Sequence, residues 1–176
     1  MRRAFLVLGA ESSGTKVVTE ALCHGGCHGS WADEQPFDDL KFDQIESDFI
    51  VFRRTIPHGT EVVSISKIMD RMQNAGYDVT PIVTARKMEY AAKAQVKRGH
   101  VRNHETAIRH IQRAYMLIAT ELLLVQVMPV VIGYELFSES ESYRKVLCDY
   151  IGLSWGAVEA NMVFFNANGA YDARPS

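Results

Sequence analysis

Leu6-Val7-Leu8-Gly9-Ala10-Glu11-Ser12-Ser13-Gly14-Thr15-Lys16 is the most informative stretch of this 176-residue chain. It begins inside a continuous apolar run, Ala4 to Leu8, of the kind that forms a strand buried on both faces of a parallel sheet. A loop with two glycines follows. Val17, Val18, Ala21 and Leu22 then supply a helical stripe that Gly25-Gly26 stops. Between such a strand and such a helix, backbone N–H groups and the helix dipole can hold a phosphate.

The same alternation continues along the chain. Phe49-Ile50-Val51-Phe52 predicts a second strand that ends at Arg53-Arg54, with Pro57-His58-Gly59 as its turn. Ile65, Ile68, Met69 and Met72 recur at helical spacing before Gly76. Asp78 to Thr84 predicts a third strand, irregular or near an edge because of Pro81. A helix from Glu89 to Lys97 closes at Gly99. The longest helix starts at the good N-cap Asn103 and runs toward Val127, with Ile108, Ile111, Tyr115, Ile118 and Leu122 on one face. Pro129 to Ile132 forms a fourth strand, and Ser138 with Glu141 has the spacing of a capping box for a helix that ends before Gly152. The expected fold is therefore α/β, in three layers, with a mostly parallel sheet covered by helices on both faces and residues 1–176 forming one domain. Ligands of such folds bind where loops leave the carboxyl ends of strands: here Gly9 to Lys16, Arg53 to Gly59, Thr84 to Lys87 and Tyr134 to Phe137.

The two glycines of the first loop have the spacing of a Walker A phosphate loop, but its last two residues are in the opposite order. Thr15 stands where that loop has its lysine, and Lys16 where it has the hydroxyl that holds Mg²⁺. The Ser-Gly-Thr form, directly after an apolar strand, resembles the sulfonucleotide-binding loop of the P-loop sulfotransferases. Val83-Thr84-Ala85-Arg86, Ile132-Gly133-Tyr134-Glu135-Leu136 and Tyr150-Ile151-Gly152-Leu153 extend the resemblance from Leu6 to Leu153. It implies a P-loop transferase that takes 3′-phosphoadenosine 5′-phosphosulfate as donor, without Mg²⁺, and moves its sulfonate to an acceptor hydroxyl. Gly9, Ser12, Ser13, Gly14, Thr15, Lys16 and Arg86 would bind the donor, with the amides of Ser13, Gly14 and Thr15 on its phosphate and Arg86 gripping the 3′-phosphate. The chain departs from the family twice. Ser12, preceded by Glu11, stands where the family has a basic residue, and Ala94 stands where it has a serine.

Hydroxyl transfer needs a proton acceptor. His58, after the second strand, is the first candidate, and Glu11 is the second. Lys16 would neutralise charge during transfer, while Arg53, Arg54 and His100 would bind the acceptor, which the arginines suit best if it is anionic. An ATP-dependent kinase is the alternative, with Mg²⁺ on Asp33 or Asp39. A nucleotide-binding protein without catalysis is a third reading.

The whole-chain charge of −2 gives no general attraction to nucleic acid or membrane. It averages an acidic stretch around Asp33 to Asp48 against a basic one that holds Lys93, Lys97, Arg98, His100, Arg102, His104, Arg109, His110 and Arg113. The basic stretch could meet a polyanion such as DNA, although a solvated helix face accounts for it more simply. Neither the opening apolar run nor Leu122 to Tyr134 is long enough, uninterrupted, to span a bilayer. Three cysteines are too few for a disulfide scaffold and point to the cytoplasm, and the Cys23 to His28 spacing does not fit zinc.

Overall fold

The computed structural model of the chain describes residues 1–32, 34, 41–56 and 64–172. His58, Asp33 and Asp39 lie outside the described residues. The chain begins with β1 (Arg2–Ala10), continues through α1 (Thr15–His24), β2 (Phe49–Ile56), α2 (Ile65–Asn74) and β3 (Tyr77–Ala85), and reaches α3 (Met88–Lys97). After α4 (His104–Leu124) come β4 (Val130–Gly133), α5 (Tyr134–Glu139), α6 (Glu141–Ile151), α7 (Trp155–Asn161) and the short α8 (Gly169–Asp172). The strands pair in parallel throughout, in the order β2-β1-β3-β4.

Alternation along each strand splits the interior into two cores, so the α/β three-layer arrangement is as expected. Leu6, Leu8, Phe52 and Val83 face one way and meet Ile68, Met72, Ala92, Ile111 and Ile118 from α2, α3 and α4. Phe5, Val7, Val51 and Ile82 face the other way and meet Val18, Leu22, Phe137, Leu147, Ile151 and Val158 from α1, α5, α6 and α7. Burying a side chain the size of Ile68 or Met72, neither of which is exposed at all, stabilises the fold by about 1.5–3 kcal/mol.

Four expectations are corrected. β2 does not stop at Arg53-Arg54 but stays in register with β1 through the Ala10–Ile56 pair. Parity then sends Arg53 to the α1 side and Arg54 to the opposite one, between the buried Phe52 and Ile56, where it is only 2% exposed. β3 is internal, not at an edge. Pro81 is accommodated because pairing to β4 begins only at Ile82, so the missing N–H leaves no ladder bond to β4 unmade. The cap of α6 is Ser140, whose hydroxyl accepts from Tyr143 N–H at 3.2 Å, while Ser138 is buried within α5. Finally, α4 stops at Leu124 because Gln126 turns left-handed (φ 55°), and Gln126 and Val127 donate to Leu123 and Leu122.

Asn103 caps α4 as expected, its side chain accepting from Thr106 N–H at 2.9 Å. Replacing Asn103→Ala should destabilise the protein by about 1 kcal/mol in urea titrations. Burial in the α1-side core pushes the Cys27 thiol up to about 12, and burial with the nearby Glu20 pushes Cys23 up to about 11. A raised thiol contributes stability that is complete below the ordinary value of 9.0 and is lost as pH rises through the folded value. Stability should therefore fall between about pH 9 and 12, and Cys27→Ala should flatten that fall.

Candidate functional site at the carboxyl ends of β1 and β3

From β1 the chain leaves on one face of the sheet, through α1 to β2. From β2 it returns on the other face, through α2 to β3. The crevice between the tips of β1 and β3 is thus a topological switch point, the place where open α/β sheets bind ligands. A cleft of about 510 Å³ opens there. Its walls come from Glu11, Ser12 and residues 14–17 of the first loop and α1, from Arg53 and Thr55 of β2, from Arg86, Arg98 and His100 around α3, and from Tyr134, Phe165 and Ala167.

The loop owes its shape to its glycines. A Cβ on Gly9 would lie 2.3 Å from Ser13 Oγ and 2.4 Å from Thr84 Oγ1, two hydroxyls that themselves make a 2.8 Å hydrogen bond. A Cβ on Gly14 would lie 2.4 Å from Tyr134 Cδ2, and Gly14 has φ 99°, which a side chain would strain. Gly9 and Ser13 therefore build the floor and do not line the cleft. Ser13 is fully buried, and its N–H donates to Ala10 O at 3.1 Å, which removes it from the three amides expected to meet a phosphate. The first bond of α1 runs from Val18 N–H to Gly14 O, which leaves the amides of Thr15, Lys16 and Val17 at the open helix end.

Ser12, Gly14, Thr15, Lys16 and Arg86 all reach the cleft, as do Arg53 and His100, whereas Arg54 is in the opposite layer. Lys16 is exposed at its mouth, and Thr15 is buried beneath. Ser12 is left-handed without being glycine (φ 67°), a conformation that costs about 1 kcal/mol or more and is found most often at functional loops. Its Oγ is buried without a hydrogen-bond partner.

Arg86 is held on several sides. Its Nε donates to Asn168 Oδ1 at 2.7 Å and one terminal nitrogen donates to Ser12 O at 3.2 Å. The guanidinium lies 4.7 Å from the Tyr134 ring centre and 5.5 Å from that of Tyr171. Its other terminal nitrogen is buried and has no partner. Ser12 and Arg86, both residues of the cleft lining, thus each hold one polar atom that is shut off from solvent and unsatisfied. Buried groups of this kind normally find partners, which makes this wall of the cleft unusual.

On the β2 side, Arg53 stands 3.9 Å from a carboxylate that the sequence did not single out, Glu34. Glu34 accepts from Thr55 N–H at 3.0 Å and from Thr55 Oγ1 at 2.5 Å. Across the cleft, His100 Nδ1 lies 3.2 Å from Glu11 Oε2. Counted over the described lining residues, Lys16, Arg53, Arg86 and Arg98 oppose Glu11, Glu20 and Glu34, so the cleft has a slight positive excess in a chain whose total is negative. The basic residues of α3 and α4 stand elsewhere, on exposed helix faces where Lys93 pairs with Glu89 and Arg109 with Glu105. No helix among the described residues is long and apolar enough to cross a membrane.

Asn168 is a second site residue that the sequence does not single out. It lies in the segment after α7, which shows no regular periodicity, yet it is only 4% exposed and holds the site together. Besides accepting from Arg86, it donates to Glu135 Oε1 at 2.9 Å, the oxygen that also accepts from Lys87 N–H. Compared with known proteins by sequence, the chain matches no family model and no curated protein.

Asn168→Ala would leave Arg86 Nε and Glu135 each short of one partner. It should cost about 1–3 kcal/mol, read as a lower urea midpoint at unchanged slope.

Proposed function

We propose that the protein is a nucleotide-dependent transferase of the sulfotransferase type, which moves a sulfonate from 3′-phosphoadenosine 5′-phosphosulfate to an acceptor hydroxyl. The observation that carries this reading is the open N-terminal end of α1, where the amides of Thr15, Lys16 and Val17 stand beside a cleft lined by Lys16, Arg53, Arg86 and Arg98. A site with these donors and a slight positive excess suits a nucleotide bearing phosphates, and the resemblance of the loop to Ser-Gly-Thr sulfonucleotide loops selects the donor.

Arg86 would hold one phosphate group of the nucleotide, its planar fork already fixed by Asn168 and by the Ser12 carbonyl. The amides of Thr15, Lys16 and Val17 would face a second phosphate at the end of α1. Lys16, in the place of a metal-binding hydroxyl, would neutralise charge that a Walker loop shares with Mg²⁺. When bound, the donor supplies an activated sulfonate with a nucleotide phosphate as leaving group. Positioning and electrostatic stabilisation supply most of the acceleration in such transfers, which a compact cleft can provide. Arg53 and Arg98 make the rest of the cleft suitable for an acceptor that carries negative charge, with Phe165 offering an apolar edge.

Thermal unfolding with adenosine 3′,5′-bisphosphate in EDTA should show stabilisation, approaching about 2.7 kcal/mol at a hundredfold excess over Kd. Lys16→Ala and Arg86→Ala should each weaken binding by roughly tenfold or more, as expected for lost charge-assisted hydrogen bonds. Stabilisation by ATP only in the presence of Mg²⁺ would reject the sulfonucleotide reading in favour of a kinase.

A further inference from the structure

We infer that His100, oriented by Glu11, is the base that takes the proton from the acceptor hydroxyl, an inference that rests on the transfer proposed above. His100 owes its position to the end of α3. Gly99 is left-handed (φ 74°), its N–H donates to Val96 O at 3.0 Å, and His100 N–H donates to Gln95 O at 3.0 Å. This is a Schellman turn, and it fixes the backbone from which the imidazole projects. The same Gln95 reaches across with its side chain, Nε2 donating to Glu11 O at 2.9 Å. One buried residue therefore ties both members of the pair, so the first loop and the end of α3 are held in a fixed relation.

The pair has the geometry of a base with its orienting carboxylate. With Nδ1 at 3.2 Å from Glu11 Oε2, the neutral imidazole carries its proton on Nδ1, and Nε2 keeps a lone pair. Both side chains line the cleft, and exposures of 38% for His100 and 26% for Glu11 leave them accessible to a solute. Glu34 is less suited to act as the base, because its side chain is 4% exposed and its oxygens are already taken up by Thr55. The pairing also gives a reason for an acidic residue in a phosphate-binding loop. Glu11 alone would repel the nucleotide, but its charge is directed at the imidazole and becomes more favourable as the proton arrives there.

In the step itself, the acceptor O–H bond breaks and its proton moves to His100 Nε2, while the acceptor oxygen bonds to sulfur. The bond between sulfur and the bridging oxygen breaks, and its electron pair leaves with the nucleotide phosphate. His100 touches the acceptor and is the catalytic residue; Glu11 acts through it and is a positioning residue.

The test uses the full chain and 3′-phosphoadenosine 5′-phosphosulfate, with water as acceptor and sulfate release as readout. His100→Gln should lower kcat by about 100-fold or more while the calorimetric Kd for adenosine 3′,5′-bisphosphate stays within twofold of wild type. Glu11→Ala should lower kcat by about 10-fold and abolish the hydrogen-bonded Nδ1–H proton resonance of His100, and Glu11→Gln, which keeps an acceptor oxygen, should restore both in large part. An undiminished rate in His100→Gln overturns the inference, above all if His58→Ala loses the rate instead. Loss of nucleotide binding in His100→Gln, or wild-type protein that binds nucleotide but releases no sulfate, overturns it as well. Wild-type protein that binds no adenosine 3′,5′-bisphosphate would instead overturn the nucleotide reading on which it rests.

Discussion

The hydroxyl contact between Ser13 and Thr84 joins the loop that leaves β1 to the end of β3, and the whole carboxyl edge of the sheet is arranged around it. It exists because Gly9 has no side chain to occupy the same space. Thr84 also reaches back to Leu8 O, so the loop is tied to both neighbouring strands before α1 begins. With the floor fixed in this way, Gly14 can pass against the Tyr134 ring, Ser12 is forced left-handed, and its carbonyl is turned toward Arg86. A chain of close approaches thereby converts two small residues into the position of a charged one.

Electrostatics explains why such rigidity matters. A guanidinium free to rotate loses side-chain entropy when it binds, up to about 2 kcal/mol. Arg86 is already confined by Asn168, Ser12 and two aromatic rings, so that loss is taken at folding. The same holds on the far wall, where Gln95 holds the loop that carries Glu11. In both cases the anchor is a buried polar side chain, Asn168 on one wall and Gln95 on the other.

Much of the fold was legible because its signals are local. Ala4 to Leu8 is a continuous apolar run, Met69 and Met72 fall at helical spacing, and Asn103 is followed by a helical pattern, so β1, α2 and α4 follow from neighbouring residues. The full length of β2 is hidden in the sequence because Arg53-Arg54 breaks an apolar run without breaking the register: one arginine faces the cleft and the other is buried in the opposite layer. Ser138 and Ser140 compete for one cap, and only the short α5 decides between them. In the site, the loop stands out by its glycine spacing, whereas Arg86 is singled out by the family resemblance and its place at a strand end. The Glu11–His100 and Arg86–Asn168 contacts join residues far apart in sequence and leave no local pattern, which is also why Glu34 drew no attention. The β2 side of the cleft is the least legible part, since residues 35–40 and 57–63, with His58 among them, are outside the described residues.

The Arg86–Asn168 bond spans 82 residues, and it sets an order of events in biosynthesis. At about 5–20 residues per second, a ribosome needs roughly 4–16 s to travel from Arg86 to Asn168. During that interval the sheet's first three strands are already made, but the arginine has neither its amide partner nor the Tyr171 ring. A nascent chain can therefore pair β1, β2 and β3 while its cleft is still unfinished. The cleft would be completed later than the strands whose ends it joins.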